Sequence, residues 1–184
     1  MDILTHVFAT PYGELLLGAH GDALCLCDWR HRRRREAVDA RIQRSLGAAY
    51  GEGMSPVIEV AMEQLEGYFR GERTVFDVPL RMAGTPFQCR VWEALMTVPY
   101  GTTETYASLT AKVAEPTAIR AVAAANGANS LSILVPCHRI IGSSGELVGY
   151  AGGLSAKRKL LELEGISLAS EQPDLFSASM DRQV

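Results

Sequence analysis

Residues 103–127 read TETYASLTAKVAEPTAIRAVAAANG, two short helical patterns over 103–113 and 117–126 that are parted by Ala114-Glu115-Pro116. Short helix, tight turn and second helix is the outline of a helix-turn-helix. The second pattern carries mostly small side chains and a single arginine, Arg120, so little bulk projects from it and another backbone can approach closely. Upstream, Thr85-Pro86-Phe87-Gln88 predicts a helix start: Thr85 can cap, Pro86 suits the first position, and Gln88 sits where a capping box wants it. Val91, Trp92, Leu95 and Met96 are expected on the buried face of that helix before Pro99-Tyr100-Gly101 ends it. Downstream, the apolar run Leu131–Val135 leads into Pro136-Cys137-His138-Arg139-Ile140-Ile141-Gly142, and a last amphipathic helix is expected from about Ser155 to Glu164-Gly165.

The N-terminal part has a different texture. Strand-like alternation cut by Thr10-Pro11-Tyr12-Gly13 and Gly21-Asp22 predicts an antiparallel meander with strands near 3–9, 14–20 and 23–28. The basic run Arg30-His31-Arg32-Arg33-Arg34-Arg35 opens a charged stretch with helical character to about Leu46, read here as a solvated surface. Ser55-Pro56 marks another helix start, with Val57, Val60, Ala61, Leu65 and Phe69 at helical spacing as its core face up to Gly71. The boundary between the two parts is placed near residue 84, giving an N-terminal sheet-and-helix domain 1–84, a mostly helical domain 85–165 and a polar tail 166–184.

With 184 residues, 47% of them hydrophobic, the chain is long enough for one ordinary domain or two small ones sharing an interface. No apolar run approaches the roughly 20 residues that cross a bilayer, and Met1–His6 lacks the basic region and apolar core of a secretory signal, so a cytoplasmic protein without membrane contact is expected. Four cysteines, Cys25 and Cys27 only two apart and Cys89 and Cys137 far off, do not make a disulfide framework and are read as thiols. The formal charge is -3, which gives no general support for nucleic-acid binding. Its distribution is more telling. Residues 1–84 hold 10 basic and 12 acidic side chains and the remainder 8 and 9, yet Lys112–Arg139 holds three basic and one acidic.

Within that locally basic segment Cys137 is flanked by His138 and Arg139, neighbours that can lower a thiol pKa. The pair alone leaves a buried inert cysteine, a Cys-His-Glu thiol hydrolase and a DNA-lesion-binding module all open. The longer pattern narrows the choice. Leu134-Val135-Pro136-Cys137-His138-Arg139-Ile140-Ile141, then Gly149-Tyr150-Ala151-Gly152-Gly153-Leu154 and Glu164-Gly165, preceded by Thr85-Pro86-Phe87-Gln88, Val91-Trp92, Tyr106 and Arg120-Ala121-Val122, resembles the O6-alkylguanine-DNA alkyltransferase family over 85–165. The N-terminal part is similar to that family's small domain through weaker motifs.

The resemblance implies an α/β (α+β) protein: a small antiparallel sheet with helices, ribonuclease H-like, followed by a mainly helical, winged helix-turn-helix-like domain. It implies a single-turnover DNA repair protein that flips O6-alkylguanine out of a duplex and transfers the alkyl group irreversibly to Cys137, with O4-alkylthymine as a further candidate lesion. His138 then takes the thiol proton through a water, Glu164 orients His138, and Tyr106 donates to the guanine ring. Asn129 braces the turn that leads to the active segment. Arg120 fills the space left by the flipped base, Ala121, Ala123 and Ala124 admit the minor groove, Ser143 contacts phosphate, and Ile140, Tyr150 and Ala151 line the base pocket. Ser130 and Ala151 stand where many members carry proline and serine. The resemblance requires no cofactor, and His20 and Cys25 match only part of a zinc site known in some members, so no metal is expected. A monomer is expected, with double-stranded DNA containing the lesion as its partner. Gln172-Pro173-Asp174-Leu175-Phe176 resembles short peptides that dock on bacterial sliding clamps, which makes Gln172, Leu175 and Phe176 candidate contacts to such a clamp.

Overall fold

The computed structural model of the chain describes residues 1–168. Three antiparallel strands, β1 (Ile3–Thr10), β2 (Gly13–His20) and β3 (Ala23–Trp29), form the meander, and the short β4 (Tyr50–Glu52) joins in parallel beside β1, giving the order β3-β2-β1-β4. Register is set by the turn at Tyr12-Gly13, with Leu4 opposite Ala19 and Thr10 opposite Gly13. Every residue of β3 is buried, since this strand is covered by the sheet's own helix and by the second domain.

Helix α1 (Arg35–Leu46) and helix α2 (Pro56–Phe69) complete the first domain. The buried face of α2 is Val57, Ile58, Ala61, Gln64, Leu65 and Tyr68, while Val60 is exposed and Phe69 only partly covered. The expected face is thus displaced. Its pivot is a polar residue: the Gln64 amide donates to Asp77 and accepts from the Asp77 backbone N–H (3.1 Å), which lets it sit inside without an unmet hydrogen bond.

Helix α3 (Pro86–Leu95) begins with the expected reciprocal capping box between Thr85 and Gln88. Met96, read as a core residue, is the C-cap of this helix and half exposed, because the helix has already ended there. A two-residue strand β5 (Glu104–Thr105) pairs with β6 (Ile140–Ile141), and between them lie α4 (Tyr106–Val113) and α5 (Ile119–Gly127), the latter entered through a 3₁₀ turn at Pro116–Ala118. Helix α6 (Gly153–Leu163) ends the described chain's regular structure. The run 131–135 forms no strand; it folds back on itself, with the Val135 N–H donating to the Leu131 carbonyl (2.8 Å), and it forces Ile133 to a φ of 74°. A β-branched residue in that region stores on the order of 1–3 kcal/mol of strain. That bend delivers Pro136 and Cys137 into the interior.

One hydrophobic core runs through both parts, uniting Leu15, Leu17, Trp29 and Leu65 of the first with Trp92, Val122, Leu131 and Ile140 of the second. Gly152 shows how closely they meet: a Cβ there would lie 2.5 Å from the Trp29 ring. No helix among the described residues is long and apolar enough to cross a membrane. The clamp-like segment 172–176 lies outside the described residues.

Candidate functional site

Cys137 opens a 3₁₀ turn, Cys137–Arg139, packed against α6, and its side chain is buried with that of His138. Burial pushes the Cys137 thiol above its ordinary pKa, and the Asn129 amide and the Lys157 ammonium draw it only partly back. Arg139, expected beside the thiol, points away from it. Its Nε and Nη2 donate to Glu164 (2.8 and 3.1 Å) and its Nη1 to the Val98 carbonyl (2.7 Å). Arg139 therefore does not reach the thiol, and the charge of Arg32, like that of Lys157, lowers its pKa less than burial raises it.

The state of His138 is set by its neighbours. Glu164 is buried at the C-cap of α6, where it also accepts from the Tyr68 hydroxyl (2.7 Å) and the Gly101 N–H (3.2 Å). Burial pushes this carboxyl up, but hydrogen bonds and charge from His138 and Arg139 outweigh it and hold the pKa at about 2. A carboxylate only accepts, so His138 Nε2, 2.7 Å from Glu164 Oε1, carries the ring proton. Nδ1 is then a bare lone pair, and it is buried with no partner in the structure. Burial lowers the His138 pKa, opposed by Glu164, and Arg139 supplies Glu164 with a permanent counter-charge so that His138 stays neutral. A neutral imidazole with its tautomer fixed by a carboxylate is the form a general base takes.

Asn129 is buried, its Oδ1 accepting from the Leu131 N–H (2.9 Å) and its Nδ2 donating to the Val135 carbonyl (2.8 Å), so one amide closes the strained bend before Cys137. Tyr106 starts α4, and its hydroxyl oxygen accepts from Asn126 Nδ2 (3.2 Å), which leaves its O–H free to donate elsewhere. Both burial and the neighbouring Cys137 raise the Tyr106 pKa, keeping that proton in place. Tyr106, Ala123, Tyr150 and Ala151 line one cleft of about 590 Å³, within the usual range of small-molecule sites (~300–1,000 Å³). The Tyr150 hydroxyl accepts from Trp29 Nε1 (3.0 Å), and its ring stands edge-on to His138.

On α5, Arg120, Ala121 and Ala124 are exposed and Ala123 is half-buried, while Val122 and Ala125 face inward. Arg120 makes no ion pair among the described residues. Ser143 is exposed in the loop after β6, and Ile140 is buried with its carbonyl accepting from Lys157 Nζ. Among the described residues no group of three or more His, Cys, Asp or Glu could hold a metal ion; His20 faces Arg81 and the Cys25 thiol faces the Gly18 carbonyl.

Four contributors escaped the sequence reading. Tyr68 comes from the first domain's helix and looks like any helical aromatic until the second domain is packed on it. Lys157 lies on the buried face of α6 with its ammonium donating to the Ile140 and Val148 carbonyls, and burial lowers its pKa to about 8. Asn126 and Arg32 meet partners across turns or domains and carry no local signal. Arg32 also corrects part of the reading of the basic run: Arg30, His31, Arg33 and Arg34 are exposed as expected, while Arg32 and Arg35 turn inward to the buried Asp28.

Fold and site together define a class: a two-domain α/β protein in which a buried cysteine, backed by a histidine and a carboxylate, lies beside a helix-turn-helix. Comparison with known proteins narrows it. Residues 3–82 match the ribonuclease-like domain of the 6-O-methylguanine DNA methyltransferases and residues 86–166 match their DNA binding domain. The methylated-DNA–protein-cysteine methyltransferase of Mycobacterium leprae is 43% identical over 155 residues, 84% of this chain and 88% of that protein. That of Mycobacterium tuberculosis is 56% identical over 104 residues, a match spanning 56% of this chain and 63% of that protein. The crystal structure of Mycobacterium tuberculosis OGT in complex with DNA superposes with a TM-score of 0.74 at 42% identity, over 87% of this chain and 91% of that one. The chain belongs to the 6-O-methylguanine DNA methyltransferase family.

Proposed function

We infer that the protein repairs DNA by moving an alkyl group from O6 of guanine onto its own Cys137. The observation that carries this reading is the Nδ1 of a buried His138, without a hydrogen-bond partner among the described residues, in the turn that holds the buried thiol and behind Tyr150, which lines the cleft. The cleft has room for one extruded nucleotide, and extrusion costs a few kcal/mol of lost stacking. Arg120, exposed and unpaired on α5, is placed to occupy the vacated position in the stack. His138 Nδ1 takes the Cys137 proton through a water while Glu164 holds the ring. Sulfur then attacks the alkyl carbon, the S–C bond forms as the C–O bond breaks, and the electron pair passes into the guanine ring. Tyr106, whose O–H is uncommitted, donates to ring N3 as that charge develops. The product is a thioether that water does not cleave, so each molecule acts once.

Ala121, Ala123 and Ala124 admit the minor-groove edge, Ser143 contacts phosphate, and Tyr150 and Ala151 hold the base, while Ile140, expected with them, is fully buried and does not line the cleft. The protein works as a cytoplasmic monomer on duplex DNA, with O4-alkylthymine as a second lesion. Gln172, Leu175 and Phe176 dock on a sliding clamp; equal clamp affinity before and after deletion of 172–176 rejects that part alone. The central test is the mass of the Cys137 peptide after incubation with a duplex containing O6-methylguanine. One methyl, retained on that peptide and stoichiometric with repair, is expected. An unmodified Cys137 after exposure to excess lesion sinks the reading.

A further inference from the structure

Helix α5 is short and packs on α3 and α4 through Val122, Ala125 and Asn126. The Ala128 N–H reaches the Ala124 and Ala125 carbonyls and the Asn129 N–H the Asn126 carbonyl, so the Gly127 carbonyl that ends the helix takes its donor from outside. Two donors come from elsewhere in the protein. Trp92 Nε1 donates to the Ala125 carbonyl (2.8 Å), and Arg32, from the other domain, donates through Nη2 to the Gly127 carbonyl (2.6 Å) and through Nη1 to the Asn129 carbonyl (2.9 Å).

Arg32 is itself fixed. Nη1 also donates to Asp28 Oδ2 (2.7 Å), and the Asp28 side chain is fully buried. Asp28 Oδ1 accepts from the Trp29 N–H and from the Ser132 hydroxyl, both at 3.0 Å, and Arg35 Nη1 adds a second cation on Oδ2 (3.2 Å). Beside this carboxylate the Cys27 N–H donates to the Ser130 carbonyl (2.8 Å), so the edge of β3 is stitched to the segment between α5 and Cys137. A planar guanidinium can satisfy a carboxylate and two carbonyls at once, which an ammonium cannot match.

We propose that Arg32, clasped by Asp28, is a positioning residue for the DNA reaction: it caps α5 from the first domain and so fixes the helix that carries Arg120 against the push needed to extrude a base. This rests on the alkyl-transfer reading above. The consequence is a division of labour. Losing the clasp lets α5 yield on a duplex, whereas a substrate that needs no extrusion feels only Arg32's place in the cleft wall and its charge near Cys137, since His138 and Glu164 keep their own hydrogen bonds.

The test compares full-length wild type with Arg32→Met, and with Arg32→Lys, which keeps a cation on Asp28 should the neutral variant not fold. Methyl transfer to Cys137 is timed from a duplex containing O6-methylguanine and from the free nucleoside O6-methyl-2'-deoxyguanosine. The expected result is a loss of tenfold or more on the duplex for Arg32→Met, a smaller loss for Arg32→Lys, and for both a loss on the nucleoside at least threefold smaller than that on the duplex. Equal losses on both substrates make Arg32 a general structural residue and overturn the proposal, as does an unchanged duplex rate. Salt dependence of duplex binding excludes a direct role: a log–log slope reduced by about 0.9, the value of one phosphate contact, also overturns it. If wild type transfers methyl from neither substrate, the alkyl-transfer reading fails first and this proposal falls with it.

Discussion

Tyr68→Phe isolates a single bond. The ring remains in its aromatic surroundings of Phe69, Phe76 and Tyr100, and only the hydroxyl that donates to Glu164 Oε1 at 2.7 Å is removed. Glu164 keeps His138, Arg139 and Gly101 as donors, so its charge is not stranded. A hydrogen bond to a buried charge contributes roughly 1.5–3 kcal/mol, and no cavity forms to add to it. At about 2–4 °C per kcal/mol for a protein of this size, the melting temperature falls by about 3–12 °C. A second effect follows from geometry. Tyr68 and His138 share Oε1, so removing the hydroxyl leaves more negative charge facing the imidazole, which favours the imidazolium and raises the His138 pKa. The acid limb of the transfer rate therefore moves to higher pH. Calorimetry or urea unfolding reads the first effect, and single-turnover transfer between pH 5 and 8 reads the second. A variant as stable as wild type with a superimposable pH profile refutes the claim that the first domain contributes to the proton relay.

Other perturbations follow from the same contacts. In wild type, burial holds the His138 pKa below 6.5, so the acid limb of the transfer rate has its midpoint below pH 6.5; a midpoint above pH 7 contradicts a neutral resting His138. Glu164, depressed from 4.5 to about 2, binds its proton more readily unfolded than folded. Its contribution of about 3 kcal/mol is complete above pH 4.5 and lost as pH falls toward 2, and in Glu164→Gln urea midpoints lose that acid dependence. Asn129→Ala strands the Leu131 N–H at about 1–3 kcal/mol and removes one bond worth about 0.5–1.5 kcal/mol from the Val135 carbonyl, which keeps the Cys137 N–H (2.8 Å), so unfolding free energy drops by roughly 1.5–4.5 kcal/mol. Gly152→Ala sets a methyl 2.5 Å from the Trp29 ring, and overpacking of this kind costs about 1–3 kcal/mol; unchanged stability there shows that the loop moves freely off Trp29.

Features that depend on neighbours in the chain were legible in the sequence. The turns at Tyr12-Gly13 and Gly21-Asp22 and the capping box at Thr85–Gln88 act over two to four residues, and the structure has strands and a helix where those signals put them. Faces of helices were less legible, because burial is decided by partners: Gln64 enters the core once Asp77 meets both ends of its amide, and Val60 is left outside. At the site, Cys137, His138 and Glu164 were picked out together by a sequence pattern, and the structure brings the last two into contact across 26 residues. Tyr68 reaches Glu164 across 96 residues and Arg32 reaches Asn129 across 97, separations at which no periodicity carries information. The inward turn of Arg32 and Arg35 is illegible for the same reason: they follow Asp28 by four and seven residues, but Asp28 belongs to β3 and its burial is visible only once the second domain covers that strand.

The raised pKa of Cys137 fits a reagent that is used once. A cysteine held as thiolate by an adjacent arginine reacts with any electrophile that reaches it, and after one such event this protein has no second cysteine in the site to substitute. Burial keeps the thiol protonated, Arg139 is diverted to Glu164, and the lone pair at His138 Nδ1 becomes useful only when a proton path connects it to sulfur. Thiolate then forms where an alkyl carbon is already waiting to be attacked. Such an arrangement makes reactivity a property of the occupied cleft. In the empty protein, Cys137 should consume iodoacetamide more slowly than the partly exposed Cys89, and a faster reaction at Cys137 would mean that the thiolate stands ready without a base in the pocket.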